Sequence, residues 1–106
     1  MSYRFMRTIV MFDLPTDTSA DRRHYRQFRK FLLEEGFVMI QESVYTKICV
    51  NMHMVDKVTA IIDSHKPPTG IVQVLTVTER QFIRMKLIVG EEKSNYIQND
   101  KRLVVV

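Results

Sequence analysis

Asp13 is the residue of this sequence best suited to metal chemistry, because it is a single carboxylate that ends the apolar run of IVMFDLPTDT, residues 9–18. Mg²⁺ takes oxygen ligands and is commonly held by one or two carboxylates together with substrate phosphates. One aspartate is a poor site, but a two-fold dimer that brings Asp13 of both chains together would supply two carboxylates at one place. The alternative is structural, since an aspartate at a strand end before a proline often bonds to the backbone in an Asx-type turn.

A second candidate site is a run of five cations in the segment that follows. Helical periodicity places them within about a third of the circumference of a helix predicted over residues 19–35. We call this surface the basic face, and its members are Arg22, Arg23, Arg26, Arg29 and Lys30. No acidic residue interrupts it between Asp21 and Glu34, and arginine suits bidentate contacts with phosphate. Two interpretations stay open, a phosphate-binding surface or the ordinary solvated side of an amphipathic helix.

The elements that must position these residues are predicted in the order strand, helix, strand, strand, helix, strand. Apolar or alternating runs predict strands at residues 7–13, 37–41, 43–50 and 71–78. Helical spacing, ended by Gly36 and by the HKPPTG segment, predicts helices at residues 19–35 and 52–64. This order is that of the α+β ferredoxin-like fold, an antiparallel sheet with both helices on one face. The other face needs a cover, for which a symmetric homodimer is predicted.

The C-terminal part of the chain is predicted to add to this fold. Residues 82–89 alternate, with four apolar side chains on one face, so a fifth strand is expected to extend the sheet. Residues 1–90 then form the ferredoxin-like domain, and residues 91–106 form a polar loop followed by an edge strand. That strand is expected to bind a partner by joining the edge of its sheet, through Leu103, Val104, Val105 and Val106.

Composition limits the class of protein. A chain of 106 residues with 45% apolar and 26% charged residues is predicted to fold as one globular domain. Its net charge of +4 suits a polyanionic partner. Cys49 is the only cysteine, so no internal disulfide is available and a reducing cytoplasm is the expected location. No apolar run is long enough for a membrane span, and no role is assigned to His24, His53 or His65.

Three segments carry a resemblance to a known family. They are IVMFDLPTDT at residues 9–18, DRRHYRQFRKFLLEEGFVMIQESVY at residues 21–45 and GIVQVLTVTERQF at residues 70–82. In order and spacing they resemble the small CRISPR-associated adaptation protein, the second numbered member of its series, which works beside the CRISPR integrase and is also described as a CRISPR-associated endoribonuclease. The resemblance covers essentially the whole chain, and it looks most like the version from systems whose effector is a single large nuclease.

The resemblance implies a symmetric ferredoxin-like homodimer with a Mg²⁺ or Mn²⁺ site shared between Asp13 of each subunit. Members of the family have been credited with metal-dependent cleavage of RNA or double-stranded DNA. They have also been credited with a non-catalytic role that bridges two integrase dimers along a protospacer duplex. The family's basic residues correspond to Arg22, Arg23 and Arg26, whereas Arg29 and Lys30 come from the basic face alone. The family's SVY block corresponds to Ser43, Val44 and Tyr45.

Three functions follow as hypotheses. The favoured one is a DNA-binding scaffold for CRISPR spacer acquisition, in which the basic face binds the phosphates of a duplex without reading its bases. It is favoured because the chain offers no second obvious acid or base, so a nuclease would rest on one carboxylate per subunit. The alternative is a Mg²⁺-dependent endonuclease that uses Asp13 of both subunits. A ferredoxin-like RNA-recognition module is the weakest, because SVYTKICV lacks the glycine and aromatic pattern that stacks bases.

Overall fold

The computed structural model describes residues 5–91 and contains a four-stranded antiparallel sheet with two long helices. The strand order across the sheet is β2-β3-β1-β4, so β1 is paired on both sides. This arrangement confirms the predicted α+β ferredoxin-like fold and its βαββαβ order. The elements are β1 (Met6–Asp13), α1 (Ser19–Glu34), β2 (Val38–Gln41), β3 (Val44–Cys49), α2 (Met52–Ser64), β4 (Ile71–Thr78) and α3 (Glu79–Phe82).

The hydrophobic core lies between one face of the sheet and the helices α1 and α2. Val10 and Phe12 of β1 pack in one cluster with Phe28 and Leu32 of α1 and with Val58 of α2, and all five are buried. Fully burying an apolar side chain of this size contributes about 1.5–3 kcal/mol. Burial of these residues therefore fixes how β1 and α1, which carry the two candidate sites, sit against each other.

Side-chain caps determine where α1 begins. The Thr18 hydroxyl accepts a hydrogen bond from the Asp21 backbone N–H at 3.0 Å, and the Asp21 carboxylate accepts one from the Thr18 N–H at 3.2 Å. This capping box satisfies two N–H groups that a helix start leaves unpaired. After the helix, Gly36 adopts φ +93°, the left-handed conformation that the sequence predicts at this stop. The basic face consequently starts within one turn of the loop that follows Asp13.

The second face of the sheet is largely apolar, and we call it the open face. Alternation along β1 puts four residues on it, Arg7, Ile9, Met11 and Asp13. Their neighbours on the flanking strands include Ile48, Ile71 and Leu75, whose exposed fractions are 43%, 56% and 49%. Asp13 therefore stands at one end of an apolar surface that α1 and α2 do not cover.

The fifth strand predicted at residues 82–89 is wrong. The helix α3 occupies Glu79–Phe82, and residues 83–91 form no strand. A capping box starts this helix, because the Thr78 hydroxyl accepts from the Gln81 backbone N–H and the Gln81 side chain accepts from the Thr78 N–H. The chain consequently turns directly after β4, and no further strand follows there.

A charged cluster holds α3 in place at the far end of the open face from Asp13. Glu79 accepts two hydrogen bonds from the Arg7 guanidinium, at 2.8 and 2.6 Å, and the Arg7 guanidinium carbon lies 4.1 Å from the centre of the Phe82 ring. We call Arg7, Glu79 and Phe82 the Arg7 cluster. Phe82 is buried and the Arg7 and Glu79 side chains are only 5% and 12% exposed, so these contacts hold α3 at the point where the fifth strand was predicted to begin.

The predicted C-terminal loop and edge strand fall almost entirely on residues 92–106, which lie outside the described residues. The partner-binding role of Leu103, Val104, Val105 and Val106 and the division of the chain at residue 90 therefore stay predictions.

Candidate metal and nucleic-acid site

Asp13 is the last residue of β1 and is exposed. Its carboxylate makes no hydrogen bond or ion pair with any of residues 5–91, so the Asx-type turn that the sequence allowed here is not formed. A carboxylate held by a central strand but free of protein partners has all its lone pairs available to a ligand. The Asp13 carboxylate is therefore accessible to a ligand, and its role as a metal ligand stays a prediction.

Gly70 fixes the backbone at Asp13. It has φ +95°, and a Cβ built on it would lie 2.8 Å from the Asp13 carbonyl oxygen and 2.7 Å from the Leu14 side chain. Only glycine fits a position that combines such a close approach with a left-handed backbone. Gly70 is a positioning residue that sequence reasoning missed, and its sole signal was the glycine directly before the IVQVLTVT strand.

The β2–β3 turn lies beside the same end of β1. Ser43 has φ 64°, and its carbonyl accepts a hydrogen bond from the Phe12 N–H at 3.0 Å. The Ser43 hydroxyl is 3.4 Å from the hydroxyl of Tyr25 on α1. These bonds bring the SVY block, the end of β1 and the first half of α1 together around the residue that precedes Asp13.

Tyr45, the last residue of the SVY block, belongs to the core rather than to the surface. It is 1% exposed and stacks on Phe12, with ring centres 5.7 Å apart. Burial raises the pKa of the Tyr45 phenol above its ordinary value, and the Arg29 guanidinium beside it opposes this shift. One member of the basic face therefore interacts with the core, which the helical pattern alone did not predict.

All five side chains of the basic face are exposed, as their spacing predicts. They are not equivalent, because Nη1 of Arg22 donates to the carbonyls of Thr16 and Asp17 at 3.1 and 3.2 Å. Arg22 is thereby tied to the loop between Asp13 and α1.

The other end of the basic face is less constrained. Arg23, Arg26 and Lys30 make no hydrogen bond or ion pair within residues 5–91, so no described acid neutralises them. Lys30 lies about 12 Å along the helix axis from Arg22. Arg22 is thus bonded to the loop that follows Asp13, and Arg26 and Lys30 lie one and two turns further along α1.

Comparison with known proteins identifies the family. Residues 6–85 match the family model described as CRISPR associated protein Cas2. The chain belongs to the Cas2 family. This finding confirms the resemblance found in the three sequence segments.

Individual Cas2 relatives cover nearly the whole chain. A protein from Treponema denticola named CRISPR-associated endoribonuclease Cas2 is 48% identical over 101 residues, covering 95% of this chain and 100% of the relative. A protein of the same name from Lacticaseibacillus rhamnosus has the same identity and coverage. A crystal structure of a Cas2 protein matches with a TM-score of 0.59 at 18% identity, covering 85% of this chain and 92% of that one, and supports the fold.

No group of three or more His, Cys, Asp or Glu residues that could hold a metal ion occurs within residues 5–91. A metal at Asp13 would therefore need further ligands from a second subunit, from substrate phosphates or from water. No helix within the same residues is long and apolar enough to cross a membrane.

Proposed function

We propose that this protein is a Mg²⁺-dependent endonuclease that cleaves RNA, with Asp13 from each of two subunits at the catalytic centre. The observation that carries the proposal is the exposed Asp13 carboxylate, which has no partner among residues 5–91 although the central strand and Gly70 hold its backbone. RNA is the proposed substrate because the relatives at 48% identity are named endoribonucleases. The sequence alone favoured the scaffold function, so the named relatives change the order of the two hypotheses.

The residues of the chain have separate parts in this reaction. Asp13 of each subunit would hold the metal, for which hard carboxylate oxygens are suitable donors. Bound Mg²⁺, or Mn²⁺ in its place, would activate water and stabilise the leaving oxygen of the phosphodiester. Arg22, fixed by the carbonyls of Thr16 and Asp17, would orient a substrate phosphate near Asp13 with the guanidinium donors that these two bonds leave free.

A second subunit would supply a second carboxylate, since no group of three or more possible metal ligands occurs within residues 5–91 of one chain. The open face supports a homodimer, since Ile48, Ile71 and Leu75 on it are about half exposed and Asp13 lies at its end. A two-fold axis through this end would place the two Asp13 residues opposite each other.

Substitution of Asp13 by Asn tests the proposal, with Asp17→Asn as the matched control on the neighbouring loop. We expect purified Asp13→Asn to lose Mg²⁺-dependent cleavage of a labelled single-stranded RNA while still binding it in EDTA, and Asp17→Asn to cleave as the wild type does. Undiminished cleavage by Asp13→Asn would show that Asp13 is not catalytic.

A second candidate function is the bridging of CRISPR integrase dimers along double-stranded protospacer DNA during spacer acquisition. The exposed side chains of Arg23, Arg26 and Lys30 favour it, since no acid among residues 5–91 pairs with them and phosphate contacts require no base recognition. Spacer integration by the purified protein with its integrase separates the two functions. Asp13→Asn should support integration if the protein acts there as a scaffold, whereas a loss of integration would tie that step to the metal site.

A further inference from the structure

A groove on the helix side of the molecule has no part in the proposed metal site. It lies between α1 and the connection from α2 to β4, and its volume is about 230 Å³. His24, Gln27, Phe28 and Phe31 of α1 line one wall, and residues 65–68 line the other. This volume is below the roughly 300–1,000 Å³ of pockets for drug-sized ligands, and it suits a single flat ring.

Three rings form a column in this groove. Phe28 and Phe31 are 6.0 Å apart with an angle of 29° between their planes, and Phe31 and His65 are 4.3 Å apart and nearly parallel at 9°. Phe28 is buried whereas His65 is exposed, so the column runs outward from the core and ends on the imidazole. A further flat ring placed on the outer face of His65 would extend it.

The His65 ring is held in this orientation by more than the stack. Its Nδ1 lies 3.0 Å from the carbonyl oxygen of Ile61 and 3.1 Å from the hydroxyl of Ser64. The contact with Ile61 caps the end of α2, which explains the position of Nδ1. It also holds the imidazole in one orientation before any ligand binds, so stacking of a ligand would cost little of the conformational entropy of the His65 side chain.

The charges around the groove favour an anionic ligand. His24 and Lys66 line it, and no acidic residue does. Asp63 lies outside the lining and pairs with Lys66 at 3.3 Å. Both side chains are more than half exposed, so this ion pair is weak and Lys66 could leave Asp63 to contact an anionic ligand. Arg23 and Lys30 stand one turn to either side of Gln27, which connects the groove to the basic face.

We propose that this groove binds one unpaired nucleotide of a single-stranded nucleic acid. Its base stacks on His65, and its phosphate lies toward Lys66, from which the strand continues onto the basic face. Single-stranded nucleic acids are typically bound by a positive groove together with aromatic rings that stack bases. The inference rests on the proposed nucleic-acid function of the chain, and it adds a base-binding position on the helix side, separate from Asp13.

The test compares three labelled probes by fluorescence anisotropy in EDTA, where no cleavage occurs. They are a 12-nucleotide oligoadenylate, an abasic strand with the same number of phosphates and a blunt DNA duplex. We expect His65→Ala to bind the oligoadenylate about tenfold more weakly than the wild type, a change typical of one lost stacked base. Binding of the abasic strand and of the duplex should stay unchanged.

Two variants control for indirect effects. His65→Phe keeps a flat ring and should restore oligoadenylate binding, while His53→Ala removes an exposed histidine of α2 outside the groove and should change nothing. Equal affinity of His65→Ala and wild type for the oligoadenylate would overturn the proposal, and so would equal losses on all three probes.

A protein segment is the competing occupant. Binding of an acidic tyrosine-containing peptide that depends on His65, without binding of the oligoadenylate, would assign the groove to a peptide and overturn the proposal. Because all measurements are made without divalent metal, failure of the Asp13 nuclease proposal would leave this test unaffected.

Discussion

At the scale of single residues, Arg7 illustrates how one buried charge decides local structure. Its side chain is 5% exposed, Glu79 compensates the charge of its guanidinium, and the Phe82 ring packs against it. Removing one partner of a buried ion pair typically costs about 3–5 kcal/mol, because the other charge stays buried without compensation. The Arg7 cluster should therefore behave as a unit in stability measurements.

We predict that Glu79→Gln lowers the free energy of unfolding by about 3 kcal/mol. The exposed pair of Asp63 and Lys66 provides the control, since Asp63→Asn should change it by less than about 1 kcal/mol. Urea unfolding followed by circular dichroism measures both. The double variant Arg7→Met/Glu79→Leu should recover most of the loss, because no buried charge is then left without its partner. A double variant no more stable than Glu79→Gln would contradict the paired arrangement.

Tyr45 makes stability depend on pH at the alkaline end. Its pKa in the folded chain is raised by burial above the value of about 10 that tyrosine has when unfolded, so the folded state holds the phenol proton more tightly. Its contribution to stability is complete below about pH 10 and is lost as the pH rises through the folded pKa. We expect wild-type stability to fall more steeply than that of Tyr45→Phe as the pH rises above about 10 in urea titrations. Parallel pH profiles for the two proteins would mean that Tyr45 does not titrate as proposed.

At the scale of elements, α1 combines packing on one side with charge on the other. Phe28 and Leu32 anchor it to the core, which leaves Arg23, Arg26 and Lys30 exposed without a described acid to pair with. A helix held in this way presents its cations along one line, as a nucleic-acid backbone presents its phosphates. Each phosphate contact that a protein makes with duplex DNA releases counterions and adds about 0.9 to the slope of log affinity against log salt.

We predict that Arg23→Glu, Arg26→Glu and Lys30→Glu together weaken duplex binding equally for unrelated sequences. The salt slope should become shallower by about 0.9 for each lost contact. The matched control reverses Lys57 of α2, which is exposed on the other helix and should leave the slope unchanged. If the triple variant keeps the wild-type slope, the basic face is a solvated helix side and binds no phosphate.

Regular elements were predictable from the sequence because each is determined by its own periodicity and caps. The alternation and apolar runs gave β1 and β4 within a residue or so, and Gly36 ended α1 as expected. The prediction of a fifth strand was wrong because the alternating pattern at residues 82–89 is not sufficient for a strand. A strand must also form backbone hydrogen bonds with a neighbouring strand. The TERQ segment at residues 78–81 was the contrary signal, a capping box directly after β4.

The parts of the site that could not be predicted depend on contacts between distant segments. Arg7 and Glu79 are 72 residues apart, and Gly70 acts on Asp13 only because β1 and β4 are neighbours. His65 looked like an isolated histidine until its ring was found stacked on Phe31. The position of Asp13 at the end of β1 was predictable, because the apolar run before it and Pro15 after it determine where the strand ends.

At the scale of the whole molecule, the two faces have different chemistry. The helix side carries the basic face and the groove, whereas the open face is apolar and has Asp13 at one end. An apolar surface on this scale is unfavourable in a monomer, and a second copy of the chain would cover it with matching residues. In the proposed dimer, assembly and metal binding would be linked, because the same contact would bring the two Asp13 carboxylates together.

We predict a homodimer at micromolar concentration that is lost in Leu75→Glu, because this change puts a charge in the middle of the open face, where Leu75 is 49% exposed. Leu33→Glu is the matched control, since Leu33 is 42% exposed but lies on α1, away from that face. Sedimentation equilibrium should return twice the 12.6 kDa subunit mass for wild type and Leu33→Glu and the subunit mass for Leu75→Glu.

Cleavage per subunit should fall on dilution as the fraction of dimer falls, because the proposed catalytic centre takes Asp13 from both chains. A wild-type monomer, or cleavage that persists in monomeric Leu75→Glu, would show that the open face does not assemble the catalytic centre.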